Sequence, residues 1–133
     1  MKLTTRSEYA LLALVYLARQ PQDRFVTVQT IAEAQGIPPK FLAQLLLAMK
    51  HARYVKSAKG QHGGFQLGMA AERITLAEVI RFFDGALAPT ESVSRYFYES
   101  TPVEKEKKLL HVFSEIRDMV SAMLEKTTLA DVA

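Results

Sequence analysis

Between Thr27 and Leu67, two short helical patterns meet at Gly36-Ile37-Pro38 and run straight into a glycine-rich hairpin pattern, the order of a winged helix-turn-helix. The first helix starts at Thr27, whose hydroxyl suits an orphan backbone N–H, and carries Val28, Ile31, Ala32 and Gln35 at helical spacing. Gly36 tolerates the left-handed conformation that stops it. Pro38-Pro39 then pre-sets the next turn, because a proline at the first helical position gives up only a donor without a partner. From there Phe41, Leu42, Leu45, Leu46, Met49 and Ala52 form an apolar stripe, while Lys40, Gln44, Lys50 and His51 fall largely outside it. A short connection sets two such helices at a steep angle and lets the second enter a major groove. Pro38, Pro39, Lys40, Ala43 and Gln44 are the positions that would meet base edges.

Tyr54 to Lys59 alternates as a strand, Gly60-Gln61-His62-Gly63-Gly64 breaks it, and Phe65-Gln66-Leu67 alternates again. Three glycines in five residues allow the backbone to approach a phosphate or a narrow minor groove beside Lys59. For the hairpin alone, a bare turn that needs positive φ angles is an equally good reading. The helix pair before it favours DNA.

Charge is segregated along the chain. Residues 1–68 hold nine Lys or Arg against three acids, which gives them +6 and leaves −3 for the rest of a chain with net charge +3. That distribution fits a protein presenting one end to phosphates. At 133 residues and 49% hydrophobic content, the chain suits one domain with an appended dimerisation element. Lys2 and the apolar run Tyr9 to Ala18 do not make a secretion signal: Glu8 precedes the run and Arg19-Gln20-Pro21 follows it without a cleavage site. The run is too short to span a membrane and reads as a buried helix, with a capping box at Thr5-Arg6-Ser7-Glu8.

Thr75 caps a further helix with Leu76, Val79, Ile80 and Phe83 on its apolar face, ending at Asp84-Gly85. The pattern lapses from Ala86 to Pro102, where Tyr96-Phe97-Tyr98 is the one dense feature, read as packing on the last helix in preference to a ligand pocket. That last helix is expected from Val103 or Glu104 to about Lys126. Leu109, Phe113, Ile116, Val120 and Met123 step along it by four, three, four and three, widened by Leu110, Val112, Met119 and Leu124. So wide a stripe calls for cover, and a two-fold partner provides it, alongside packing onto the chain's own core.

Met1-Lys2-Leu3-Thr4, Tyr9-Ala10-Leu11, Ile31-Ala32 to Gly36-Ile37, Phe41-Leu42 with Gln44-Leu45, and Lys59-Gly60 with Gly63-Gly64-Phe65 carry a family resemblance. Together they resemble the bacterial Rrf-type winged-helix regulators, the family of the iron-sulfur regulator IscR, the nitric-oxide sensor NsrR and the cysteine-metabolism repressor CymR. The likeness runs from Met1 to about Gly85 and resumes at Thr127-Thr128-Leu129-Ala130-Asp131. It implies a homodimeric transcription factor, usually a repressor, on an imperfect palindrome. Three positions depart from relatives: Ala43 stands where the IscR branch often has an acid, Lys59 where the wing often has Arg, and no cysteine occurs anywhere. Without thiolates an iron-sulfur cluster is not expected, nor is a disulfide. Glu8 lies near the position of an acidic ligand in some relatives, but its cap spacing is the stronger reading. His51, His62 and His111 lack metal-ligand spacing.

The expected fold is therefore mainly α with a small β-hairpin wing. It comprises a winged helix-turn-helix over 1–85, a loop over 86–102, and a dimerisation helix with a C-terminal tail over 103–133. Lys40 and Gln44 are expected at base edges, where Gln pairs with adenine. Lys2, Arg6, Lys50, Arg53 and Lys59 are expected at phosphates, joined by the wing-tip residues Gln61, His62 and Gly63. A helix N-terminus at Thr27 or Pro39 offers a further phosphate site. The expected protein is a cytoplasmic regulator of double-stranded DNA without a cofactor, open to an unidentified protein or small-molecule effector. A winged-helix module that binds protein instead of DNA is the alternative. No nucleophile, His and carboxylate set or phosphate-binding glycine motif points to an enzyme.

Overall fold

The computed structural model describes residues 1–133. α1 (Thr5–Arg19) buries Ala10, Ala13, Leu14 and Leu17 and runs through the core. Its cap is Thr4, not Thr5: Thr4 has the extended backbone of a cap (φ −78°, ψ 162°) and its hydroxyl accepts from the Ser7 N–H at 3.3 Å. With the cap at Thr4 the third helical position is Ser7, so the expected box with Glu8 does not form. A carboxylate from elsewhere takes that role. The Thr4 N–H donates to Asp84 Oδ2 at 3.1 Å and the Thr4 hydroxyl donates to Oδ1.

α2 (Val28–Gln35) is capped by Thr27, which accepts from the Thr30 N–H at 3.1 Å, and ends on Gly36 in the left-handed region (φ 66°, ψ 37°). α3 (Pro39–His51) follows after two residues, with proline in its first turn and Leu42, Leu45, Leu46 and Met49 buried. Its end is tied by two bonds, Arg53 N–H to the Lys50 carbonyl at 3.0 Å and Tyr54 N–H to the Met49 carbonyl at 2.9 Å. That pairing closes the helix as a Schellman motif.

The wing pairs β1 (Val55–Ala58) antiparallel to β2 (Gly64–Leu67), with Val55 opposite Leu67 and Ala58 opposite Gly64. Tyr54 and Lys59 lie just outside the first strand. Val26 adds a one-residue third rung, exchanging two 2.7 Å bonds with Phe65, so the wing is fixed to the loop before α2. Gly64 (φ 137°) makes this approach possible, because a Cβ there would collide with the Val26 carbonyl.

α4 (Leu76–Asp84) starts with a complete capping box between Thr75 and Glu78. Residues 85–106 contain two short 3₁₀ turns, Glu91–Val93 and Pro102–Lys105. α5 (Lys107–Lys126) thus begins later than the periodicity suggests: Glu106 is extended (φ −115°, ψ 99°) and divides the 3₁₀ turn from the helix. α6 (Leu129–Val132) has its own box between Thr128 and Asp131. The segment expected as a tail is built into the fold. Leu76 N–H donates to the Thr127 carbonyl and Leu129 N–H to the Ile74 carbonyl, both at 2.9 Å, and Leu129 is fully buried among residues of α1 to α3 and the wing.

The aromatic trio is not buried against α5. Tyr96, Phe97 and Tyr98 are 68%, 44% and 60% exposed; Tyr96 lies over Arg81 of α4, and the Tyr98 hydroxyl donates to Glu104 at 2.6 Å. That bond, with one from Ser100, holds the Glu104 carboxyl below its ordinary range. Local polar contacts satisfy this segment, so the helix is left to face elsewhere.

Burial pushes the Asp84 carboxyl up, but the Thr4 hydrogen bonds and the Arg6 charge outweigh it and hold the pKa below the ordinary value. A carboxyl depressed on folding stabilises above its unfolded pKa of about 4, and the contribution is lost as pH falls through the folded value. Asp84→Asn should lower stability near neutrality and flatten its decline below about pH 4, read by urea unfolding across that range. An unaltered acid slope would contradict the clamp.

Candidate nucleic-acid interface

The face of α3 away from the core presents Lys40, Ala43, Gln44, Leu47, Lys50 and His51, all exposed, with Pro38 and Pro39 exposed at its start. Sequence reasoning passed over Leu47, although its place outside the core stripe was visible in the periodicity. The wing tip adds exposed Lys59, Gln61 and His62. Together with Asp23, Arg24, Phe25, Thr27 and Gly63, Gln61 and His62 line a polar notch of about 530 Å³ between the wing and the loop before α2. Arg24 is a second residue that sequence reasoning missed, for it joins the wing only through the Val26–Phe65 rung.

Gly63 differs from its neighbours. It is buried, and a Cβ there would run into the Ala58 carbonyl, so the glycine serves the wing's own close packing and offers the notch only backbone. Thr27 is exposed but already committed, its hydroxyl bonding both the N–H and the hydroxyl of Thr30. Lys2 and Arg6 are exposed at the start of the chain, with the Arg6 guanidinium 5.4 Å from the Phe83 ring centre.

None of the nine Lys and Arg residues in 1–68 has a carboxylate within 4.0 Å; the three arginine ion pairs, Arg81–Glu125, Arg95–Asp118 and Arg117–Asp118, and the His111–Glu115 contact all fall in the rear half. In the rear half three arginines are paired with carboxylates and acids outnumber cations. In the front half it faces outward.

The second candidate surface is α5. Of its twenty residues only Ser121 is buried. Leu109, Val112, Ile116, Met119 and Met123 are 39–73% exposed, whereas Phe113 and Val120 of the expected stripe turn partly inward. The exposed face is centred near Ile116 and Met119, with the helix held by bonds from the Ser121 hydroxyl to the Leu87 carbonyl, from Arg117 to the Val93 carbonyl at 2.8 Å, and from Arg81 to Glu125 at 2.7 Å. Beside it lies an apolar groove of about 650 Å³ lined by Met1, Leu3, Ala88, Pro89, Ile116, Met119, Val120, Met123 and Leu124. Sequence reading gave Met1 and Leu3 no part in this surface.

A family model described as "Iron-dependent Transcriptional regulator", that of Rrf2, matches residues 3–133. The chain belongs to the Rrf2 family. The HTH-type transcriptional regulator CymR of Bacillus subtilis is 30% identical over 133 residues, covering all of this chain and 90% of that protein. A Mycobacterium tuberculosis protein named in general terms as an HTH-type transcriptional regulator is 35% identical, over all of this chain and 81% of its own. The solved structure of the B. subtilis CymR, "the Global Cysteine Regulator", superposes over this whole chain and 96% of that one with TM-score 0.81 at 29% identity. T. potens IscR follows the same fold over 99% of this chain and 85% of its own, with TM-score 0.76 at 26% identity. The winged-helix architecture and the role of a DNA-binding transcriptional regulator are thus those of the family, and the named relatives are regulators, not enzymes. No helix is long and apolar enough to cross a membrane.

The iron in the family description does not fit these residues. The chain supplies no cysteine thiolate, and no three His, Asp or Glu side chains converge to hold a metal. Glu8 is exposed on α1, and His111 pairs with Glu115 on α5.

Arg53 is the one non-glycine residue with positive φ (69°), at the position after α3 where glycine is usual. An L side chain there costs about 1 kcal/mol. Arg53→Gly should accordingly raise unfolding stability by about that amount, measured by chemical denaturation, and a variant less stable than wild type would show that the side chain makes compensating contacts.

Proposed function

We propose that this protein is a homodimeric repressor that binds an imperfect palindrome in double-stranded DNA and works without a resident iron centre. The observation that carries the reading is the set of unpaired cations on and around α3 and the wing. In water such charges repel one another; on a duplex each releases a counterion by meeting a phosphate. Lys2, Arg6, Lys50, Arg53 and Lys59 neutralise phosphates in this reading, Lys40 and Gln44 meet base edges, and Gln61 and His62 follow the backbone at the wing tip. Arg24 joins that group. The strained Arg53 fits it too, since a cation retained where glycine would be more stable is a residue kept for something other than folding.

The exposed stripe of α5 supports dimerisation. Five large apolar side chains on one face, continuous with Met1 and Leu3, form a patch that a second copy covers by two-fold symmetry. Two recognition helices then read two half-sites at a spacing set by α5. In domain terms, residues 1–85 form the reading unit and α5 the dimerisation element, with α6 returned to the reading unit. Likeness to CymR supports regulation by means other than a cluster, through a protein or small-molecule effector that binds elsewhere on the dimer.

Two measurements test this reading. Lys59→Ala should weaken binding to duplex DNA and reduce the slope of log affinity against log salt by about one unit, seen by fluorescence anisotropy over a salt series. An unchanged slope would remove the wing from the contact. Met119→Glu should shift the protein from dimer to monomer in sedimentation while leaving its helical circular dichroism intact; a variant that stays dimeric would place the interface elsewhere.

A further inference from the structure

The face of α3 that meets DNA in this proposal is not uniformly polar. Leu47 lies at its centre, 53% exposed, one turn beyond Ala43 and Gln44 and one turn before His51. The other leucines of the helix, Leu42, Leu45 and Leu46, are at most 2% exposed. A single exposed leucine is ordinary on a free surface. On a surface pressed into a groove it is different, because its apolar area leaves water only if the groove offers an apolar partner.

The major groove offers one such group, the thymine C5-methyl. The middle of the helix, where Ala43, Gln44 and Leu47 lie, points the same way. α3 contains no acid to accept from cytosine N4, its one cation at a base edge, Lys40, sits in the first turn where it can meet guanine, and Gln44 has the donor and acceptor that match adenine. We propose that Ala43 and Leu47 read thymine methyl groups flanking the base met by Gln44, so that each half-site sets thymines beneath α3. This rests on the DNA-reading function above. It also fixes the docking: Leu47 is the ninth residue of the helix, about 12 Å along its axis from Pro39, so α3 lies along the groove and does not enter it end-on.

The test uses the full chain and a duplex enriched by it from a random pool. Thymines in that duplex are replaced one at a time by deoxyuridine, which removes the methyl and leaves every hydrogen-bonding group in place. At a position read by Leu47 the wild type should lose about fourfold in affinity, equivalent to about 0.8 kcal/mol at 1.4 kcal/mol per tenfold. Leu47→Ala, an exposed change that should leave the melting temperature unaltered, should bind thymine and deoxyuridine there nearly equally while keeping the wild-type salt slope. Ala43→Gly should do the same at a neighbouring thymine. An enriched duplex whose deoxyuridine forms bind the wild type undiminished, or a Leu47→Ala protein that loses as much as wild type, overturns methyl reading and leaves the regulator function standing. A pool with no enriched sequence overturns both.

Discussion

The return of the chain at Thr127 to Leu129 governs how the rest of this molecule is arranged. Leu129 is fully buried in the main core, and the strand-like exchange with Ile74 and Leu76 locks the end of the chain beside the start of α4. Burying a leucine completely is worth about 1.5–3 kcal/mol, enough to hold a four-residue helix that would not form alone. With its C-terminal end fixed there, and Arg117 and Ser121 bonded to carbonyls of the 85–93 segment, α5 has little freedom to rotate. Its apolar stripe is thereby aimed outward.

That constraint divides the molecule electrostatically as well as mechanically. The rear half carries more acids than cations and pairs three of its arginines with them, and Asp118 is held below the usual carboxylate range by bonds from Arg117 and Arg95. Exposed pairs of this kind contribute little to stability, but they leave the region with no surplus positive charge for a polyanion. The front half does the opposite. Its cations stand free around a helix whose inner face is fixed by Leu42, Leu45, Leu46 and Met49, so the outer face is rigidly displayed.

Much of the reading unit was legible because its signals are local. Thr27, Gly36 and the two prolines bound α2 and α3 through backbone chemistry that needs no distant partner, and the helices begin and end where those residues require. The wing was legible for the same reason, through its glycines and alternation. The clearest misreadings depend on distant residues. Thr4 takes the cap of α1 and Asp84, eighty positions away, accepts from it; Arg24 joins the wing through Phe65. Others are closer in sequence: Gly63 is packed against Ala58 within the hairpin. The trio at 96–98 carried an apolar signal but found polar and cationic partners nearby.

From its order of residues alone this chain determined a helix pair, a hairpin, a basic front and an apolar last helix, since capping, turn chemistry and periodicity act over a few bonds. Tertiary structure alone decided the rotation of that last helix, which turned Phe113 and Val120 partly inward and Val112 and Met119 out. Likewise it decided which cations remain unpaired, because side chains distant along the chain compete for burial and charge only once the fold has brought them together.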